Sequence, residues 1–305
     1  MSLRVLRRAG RALAALIGVL LVVFVLLRLS GDPSYILLPP EATDQQRAAF
    51  RSHYGLDQPL AVQFIVYVGR CLHGDLGQSF SFQIPAARVV MDRLPATLEL
   101  TAAALTLALI IAIPTGVLAA TRRGTRYDRA VMGVVLIGQS VPTFWLGMLM
   151  ILLLAVRWHL LPVSGRGTWA QLVMPATALA LWLMALLARV TRSEMLEVLS
   201  QDFVRTARAK GISELGIAAW HALRNAVLPI VTVLGLQLGG LVGGAVMTET
   251  VFAWPGVGTM LLDAILKKDY PVVLAGVMVV AATFIVINLI LDLLYGALDP
   301  RMRRA

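Results

Sequence analysis

Charged residues are scarce in this sequence, and cysteine is nearly absent from it. Charged side chains make up 14% of the 305 residues and apolar ones 58%, whereas a soluble protein carries about 25% charged residues. A fold surrounded by water could not bury so much apolar surface, so the composition excludes an ordinary soluble domain. The single cysteine, Cys71, excludes an intrachain disulfide and a cysteine-rich metal site. The composition therefore predicts a polytopic membrane protein.

The sequence also lacks the motifs that common catalytic chemistry requires. Its only lysines are Lys210, Lys267 and Lys268, and none is followed by serine or threonine as in a phosphate-binding loop. No His-Glu-x-x-His zinc motif and no Gly-x-Ser-x-Gly nucleophile motif occurs. We therefore predict that the chain is not an enzyme, has no ATPase site and binds no metal or other cofactor itself.

Carboxylates are missing from the interior of the long apolar runs, where ion-coupled carriers usually place proton or ion relays. Glu99, Glu249 and Asp292 lie only at the ends of these runs, where pairing or snorkelling is the ordinary interpretation. Glu249 is also a candidate for lining a substrate path. A transport protein that has neither an ATPase site nor an ion relay needs a partner that supplies energy.

Six apolar runs are long enough, or nearly long enough, to cross a hydrocarbon core that requires about 20 helical residues. They predict an all-α fold with six transmembrane helices. The runs are 12–27, 100–121, 130–156, 172–188, 226–248 and 271–291. The first run resembles a secretory signal peptide, but it is long for one, and no small-residue cleavage site follows it before Arg28.

The distribution of basic residues predicts the orientation of the spans. With the N-terminus inside, the cytoplasmic segments (1–11, 122–129, 189–225 and the tail from 293) carry 17 Lys and Arg in 69 residues, against 10 in 103 residues outside. This bias follows the positive-inside rule, so both termini are predicted to be cytoplasmic. Because the net charge of +10 is confined to these short breaks, we predict no binding to nucleic acid.

This orientation divides the chain into three parts. Residues 1–28 form the first transmembrane helix, and 29–93 form an extracytoplasmic cap segment with turn signals and short amphipathic stretches. Residues 94–305 form a core of five transmembrane helices. A cytoplasmic loop, 189–225, separates the fourth span from the fifth.

The loop 189–225 begins with the pattern of an amphipathic helix. Charged residues fall on one side of it, and apolar residues recur on the other at four-residue spacing. These apolar residues are Met195, Leu199, Phe203 and Ala207.

A second, shorter helix follows in the same loop. Gly211 stands where a helix C-terminal stop favours a positive φ, and Ser213 is a good N-cap for a new helix. The next six residues, 215–220, are uncharged and too few to span a bilayer. A short exposed apolar helix indicates docking into a groove on another protein. The alternatives are that it lies flat on the lipid surface or packs under the protein's own spans.

Several stretches resemble, in order, the inner-membrane permeases of ABC importers of the dipeptide, oligopeptide and nickel branch. The resemblance is carried by VRTARAKG (204–211) and HALRNAVLP (221–229), and by GDP (31–33), GLDQPL (55–60), GDLGQSF (74–80), RLPATLEL (93–100), ETVFAWPGVG (249–258), KDYP (268–271) and ALDPRMRR (297–304). Together they span nearly the whole chain. The broader importer signature begins with Glu-Ala-Ala, whereas this chain has Arg205-Thr206-Ala207, so a cytoplasmic glutamate contact is not carried over.

The resemblance implies a multi-pass protein of a bacterial inner membrane with four kinds of partner. These are a second, similar permease that completes the channel, two ATP-binding subunits that hydrolyse ATP, an extracytoplasmic solute-binding protein that lands on segment 29–93, and the lipid bilayer. The implied substrate is a short peptide. The alternatives are a nickel or metal-chelate importer and, from another class, a membrane scaffold subunit that transports nothing.

The resemblance also implies that the loop couples the permease to its ATPase. By this interpretation Gly211 and Ser213 set the angle of the short helix, while Leu215, Ile217 and Trp220 supply its contact. Arg205, Arg208 and Arg224 hold it at the lipid or partner surface. The complete set of coupling residues is Arg205, Ala207, Arg208, Ala209, Lys210, Gly211, Ile212, Ser213, Glu214, Leu215, Ile217, Trp220 and His221.

Four further residues are candidates for a pore or gate. Gln139 and Pro142 bring polarity and a kink into the third span, which is as typical of helix packing as of a pore lining. Glu249 is the candidate named above. Trp254 belongs to a Trp-Pro-Gly sequence that resembles a re-entrant turn near the outer gate; the alternative is an interfacial turn with Trp254 as an aromatic anchor.

Overall fold

The computed structural model describes residues 2–298; Met1 and 299–305, which include most of the stretch matched at 297–304, lie outside it. Within the described residues every regular element is a helix, and the one β-bridge joins Gln78 to Pro85. The predicted all-α class is therefore confirmed. The chain forms two compact units, one made of the chain up to Pro95 with Gly256–Ile287, the other of Ala96–Pro255 and the chain from Asn288.

The first unit contains a long apolar helix, most of the polar segment after it, and the chain on either side of residue 270. Its aromatic core includes the buried side chains of Phe24, Phe80 and Tyr270. The helices are α1 (Ser2–Leu29), α2 (Ser34–Leu37), α3 (Asp44–His53), α4 (Leu60–Leu72), the start of α5 (Ala86–Thr121), α12 (Val257–Leu266) and most of α13 (Tyr270–Leu298).

A buried carboxylate joins two of the matched sequence stretches within the first unit. Asp269, 1% exposed, accepts hydrogen bonds from the Ser79 hydroxyl at 2.5 Å and from the backbone N–H groups of Phe80 and Ser81 at 3.0 Å. Three donors compensate the cost of burying the charge. The turn at 268–271 and the segment 74–80 are thereby held together.

The second unit is a helical bundle around α8 (Trp169–Leu199), which packs against α6, α7 and α11. Gly116 of α5 lies so close to α8 that a Cβ there would stand 2.6 Å from Cβ of Thr191. Glycine is therefore required at this crossing. The other helices are α6 (Arg126–Ser140), α7 (Thr143–Met150) with a π-helical stretch Ile151–Arg157, α9 (Asp202–Ala209), α10 (Glu214–Gly216) with a π-helical stretch Ile217–Ala222, and α11 (Leu223–Val251).

The described residues contain four helices that are long and apolar enough to cross a membrane. They are Ala86–Thr121, Trp169–Leu199, Glu214–Leu241 and Tyr270–Ile290. The apolar part of α1, Leu13–Leu29, is shorter. The apolar segment that begins with α6 gives a fifth candidate, so the count of six and the side of each terminus stay predictions.

The predicted third span, 130–156, is broken rather than kinked. Helix α6 and the helical stretch Thr143–Arg157 are bent by 102° relative to each other. The cause is local, because Pro142 has no N–H to continue the helix and Val141 before it is extended, with φ −88° and ψ 123°. The bend makes this segment a broken span or a re-entrant loop.

Cysteine labelling tests the predicted orientation. In a chain whose Cys71 is replaced by serine, we expect Ser52→Cys to react with a membrane-impermeant maleimide added outside and Ser213→Cys to remain unlabelled. Both serines are exposed, so a lack of reaction reports the side of the membrane rather than burial. After the membrane is permeabilised, both should react. Labelling of Ser213→Cys alone in intact cells would reverse the orientation.

Candidate coupling site

The loop 189–225 is a compact helical turn with its own small core. Helix α8 continues out of the predicted fourth span as far as Leu199, and α9 begins at Asp202 after two intervening residues. The predicted amphipathic helix is therefore two helices. The apolar side is confirmed for Met195, which is 0% exposed, and for Ala207, which is 7% exposed.

Helix α9 ends in a Schellman motif at Gly211. The Gly211 N–H donates to the Arg208 carbonyl at 2.9 Å and the Ile212 N–H to the Ala207 carbonyl at 3.2 Å, the two bonds that define this motif. Gly211 has φ +77°, as its position predicted. A Cβ there would meet nothing within 4 Å, so the backbone conformation, not lack of space, favours glycine.

The next helix begins at the predicted N-cap. The Ser213 hydroxyl accepts a hydrogen bond from the Gly216 N–H at 3.3 Å. Across the turn, Arg208 holds the Glu214 carboxylate with two bonds, 2.6 Å from Nε to Oε1 and 3.2 Å from Nη2 to Oε2. The hydrogen bond to Glu214 raises the pKa of Arg208. Water screens this exposed pair, so it orients the two helix ends rather than stabilising the fold.

Ile217 does not face outward, contrary to the prediction. It is 0% exposed and packs with Val204 and Ala207, and the half-buried Ile212 lies against the same cluster. These side chains join α9 to the helix that follows the turn. Ile217 therefore belongs to the small core of the loop, and the prediction that its side chain supplies an outward contact is wrong.

Leu215 and Trp220 form the outward apolar face. Leu215 is 72% exposed and Trp220 79%. In an α-helix, residues five apart differ by about 140° around the axis, but the chain is π-helical over Ile217–Ala222, where bonding from i to i+5 brings such residues closer to one side. The sequence did not indicate this π-helical stretch.

Most of the remaining predicted coupling residues are also exposed. Arg205, Ala209, Lys210 and His221 are exposed. Residues 214–251 are helical without a break, so the predicted short helix is in fact the first part of a longer one. The face formed by Leu215 and Trp220 is thus continuous with the apolar segment of α11.

Two of the candidate gate residues lie together elsewhere in the second unit. Glu249 is 0% exposed and accepts a hydrogen bond from the Thr97 hydroxyl at 2.6 Å. The indole N–H of Trp254 donates to the Ala96 carbonyl at 2.8 Å. Because Trp254 is also 0% exposed, the alternative of an interfacial aromatic anchor is wrong. Both residues hold the end of α11 to α5.

Gln139 and Pro142 lie at the break between α6 and α7. The Gln139 side chain is half-buried, and its amide nitrogen has no hydrogen-bond partner within the described part of the chain. Pro142 is exposed. Both residues therefore belong to the break in the third span.

The sequence interpretation missed an ion pair made by the first part of the loop. Arg192 of α8 holds Asp128 with bonds of 2.6 and 2.8 Å, and the Gly124 N–H adds a third at 2.9 Å. The Asp128 side chain is 5% exposed. This pair fixes the predicted cytoplasmic segment 122–129 against α8. Its partners are 64 residues apart, and no motif marked either of them.

Comparison with known families gives matches over both halves of the chain. Residues 112–304 match the family described as binding-protein-dependent transport system inner membrane component. Residues 1–101 match the family that describes the N-terminal part of such components.

Characterised relatives are similar over nearly the full length. The dipeptide transport system permease protein DppB of Escherichia coli (strain K12) is 41% identical over 332 aligned positions, covering 98% of each chain. The glutathione transport system permease protein GsiC of Escherichia coli O6:H1 is 41% identical over 288 positions, covering 94% of each chain.

A solved structure shares the fold. An inward-facing form of the MetNI methionine ABC transporter superposes with a TM-score of 0.58 at 23% identity, over 69% of this chain and 96% of that chain. Because the sequence identity is low, this similarity shows only that the two chains share the arrangement of their helices.

The Schellman motif predicts a local effect of Gly211→Val. A positive φ costs an ordinary residue about 1–2 kcal/mol, which corresponds to about a 5- to 30-fold rise in opening of the turn. We expect trypsin to cleave the purified chain after Lys210 faster by about that factor. Gly124→Val is the control, because Gly124 also has a positive φ, +78°, and open space around it. An unchanged rate in Gly211→Val would contradict the assigned role.

Proposed function

The chain belongs to the family of inner membrane components of binding-protein-dependent transport systems, and on that premise we propose that it is the permease subunit of an ATP-driven importer of short peptides. It forms half of a translocation channel with a second permease. Two ATP-binding subunits dock on the cytoplasmic side and hydrolyse ATP. A solute-binding protein delivers the peptide to the segment 29–93 outside.

The observation that carries this proposal is the exposed pair Leu215 and Trp220 on an uninterrupted helix. Burying a large apolar side chain contributes about 1.5–3 kcal/mol. Burial of Leu215 and Trp220 in an apolar groove of an ATPase subunit therefore stabilises the contact between the two subunits. The capped turn at Gly211 and Ser213 fixes the start of the helix. A displacement of the groove therefore moves α11 as well.

Peptides are the favoured substrate class because both relatives described above are named for them. One is a dipeptide permease and the other carries glutathione, which is itself a tripeptide. A nickel or metal-chelate importer and a scaffold without transport are the alternatives. The scaffold needs no outward apolar pair, so the pair favours a transport subunit.

Growth of a deletion strain tests the substrate. We expect a strain that lacks this chain to lose growth on di- and tripeptides supplied as the sole source of a required amino acid, and to grow normally on the free amino acid. The same strain should keep full nickel-dependent enzyme activity. Normal growth on peptides combined with loss of nickel-dependent activity would favour the metal importer.

Leu215→Glu tests the coupling role. A charge buried in an apolar groove costs several kcal/mol, so we expect normal insertion but transport lowered at least about tenfold. ATPase activity should no longer respond to loaded binding protein. Leu160→Glu is the matched control, since Leu160 is 67% exposed and lies in a different loop. If the Leu215→Glu complex assembles and transports at the wild-type rate, the lipid-surface alternative is correct.

A further inference from the structure

The first unit contains a cavity that the proposed transport function does not use. Its volume is about 380 Å³, and it lies between the end of α1, helix α4, the segment 76–80 and the start of α13. Arg28, His53 and Arg70 are among its lining residues, and none of the residues that the structure places around it is acidic. The cavity therefore has the charge of an anion-binding site.

Arg28 is the central cation of this cavity. Its guanidinium carbon lies 5.1 Å from the ring centroid of Phe24 and 5.1 Å from that of Tyr270. The rings hold the half-buried group in place, but they accept none of its five N–H donors in a normal hydrogen bond. The nearby Asp32 forms an ion pair with Arg51 instead, with 3.6 Å between Arg51 Nη1 and Asp32 Oδ2. Within the described residues the Arg28 guanidinium has no hydrogen bond or ion pair, so its donors are available to an occupant of the cavity that it lines.

Two polar groups in the cavity wall strengthen the case for a polar occupant. The Gln63 side-chain oxygen is buried without a hydrogen-bond partner among the described residues, and the buried Tyr67 hydroxyl has only the Cys71 thiol, a weak partner, beside it. Burial raises the pKa of Tyr67, and the neighbouring Cys71 adds to the rise, so the phenol stays a proton donor. Unsatisfied buried polar groups are uncommon and call for an explanation.

One side of the cavity and the helix surfaces beside it are apolar. Phe24, Val62, Val66 and Leu274 contribute apolar wall, whereas Ser52, Gln58 and Gln78 line the cavity with polar groups. Helix α1 exposes Leu26 and Leu29 at 59% and 76%, and α4 exposes Ile65 and Leu72 at 69% and 77%. Such surfaces are typical of helices that contact lipid at the end of a span. A ligand that reaches this cavity from its surroundings is therefore amphipathic.

We propose that this cavity binds the headgroup of an anionic phospholipid. Arg28 and Arg70 pair with the phosphate, to which a guanidinium donates in a fork, and the first methylene groups of the chains lie on Val62 and Val66. Basic pockets beside transmembrane helices bind anionic headgroups in this way. The site is independent of which solute the protein transports.

Native mass spectrometry of the full-length chain in detergent tests the site. We expect phosphatidylglycerol to remain bound more than phosphatidylcholine, and Arg28→Gln to lower its retention about fivefold, the factor that one arginine near an anionic lipid contributes. Arg70→Gln should act in the same direction. Arg88→Gln is the control, because Arg88 is exposed in the same unit but does not line the cavity.

Folding and competition separate the alternatives. Thermal unfolding of each variant shows whether the fold survives; if Arg28→Gln is misfolded, Arg70→Gln alone decides. Equal retention of phosphatidylglycerol in the Arg70 and Arg88 variants would overturn the proposal. Displacement of the lipid by millimolar glycerol phosphate would identify a site for soluble phosphate, and displacement by a dipeptide a site for substrate; either would overturn the lipid assignment. Failure of this test leaves the peptide-growth result unaffected.

Discussion

Burial inside a protein removes water from a polar group, so the group must find its hydrogen-bond partner within the protein. Three buried carboxylates follow this constraint. Asp128 is held by Arg192, Asp269 by Ser79 and two backbone amides, and Glu249 is bonded by Thr97. The bonded residues are 64, 190 and 152 positions apart. Each pair therefore fixes segments that sequence order alone would leave independent.

The same constraint decides where the backbone can leave the helix. At Pro142 the ring prevents continuation, and the axis turns by 102°. At Gly211 the chain reverses because the Schellman bonds and the Ser213 cap satisfy both free helix ends. The second break is accordingly a defined turn, and this is why the exposed pair Leu215 and Trp220 has a fixed direction.

The features that sequence predicted well are those set by a few neighbouring residues. The helix stop at Gly211, the cap at Ser213 and the all-helical class each depend on local chemistry, and the structure has all three. Burial depends on what folds back from a distance. Ile217 and Leu215 are both large apolar residues in the uncharged run 215–220, and nothing in the run distinguishes them. In the structure only Ile217 packs against the buried residues of α9. The pair of Asp128 and Arg192 was beyond prediction for the same reason.

One long helix links the exposed pair Leu215 and Trp220 to residues that are bonded to α5. Residues 214–251 form an unbroken helix, and at 1.5 Å per residue it is about 55 Å long, whereas the hydrocarbon core is about 30 Å thick. Its far end is anchored, because Glu249 is bonded to Thr97 of α5. Glycines cluster between 235 and 244, and Pro229 lies inside α11. Because each glycine weakens a helix by about 1 kcal/mol relative to alanine and a proline removes a backbone hydrogen bond, the weakest part of the helix lies between Leu215 and Glu249.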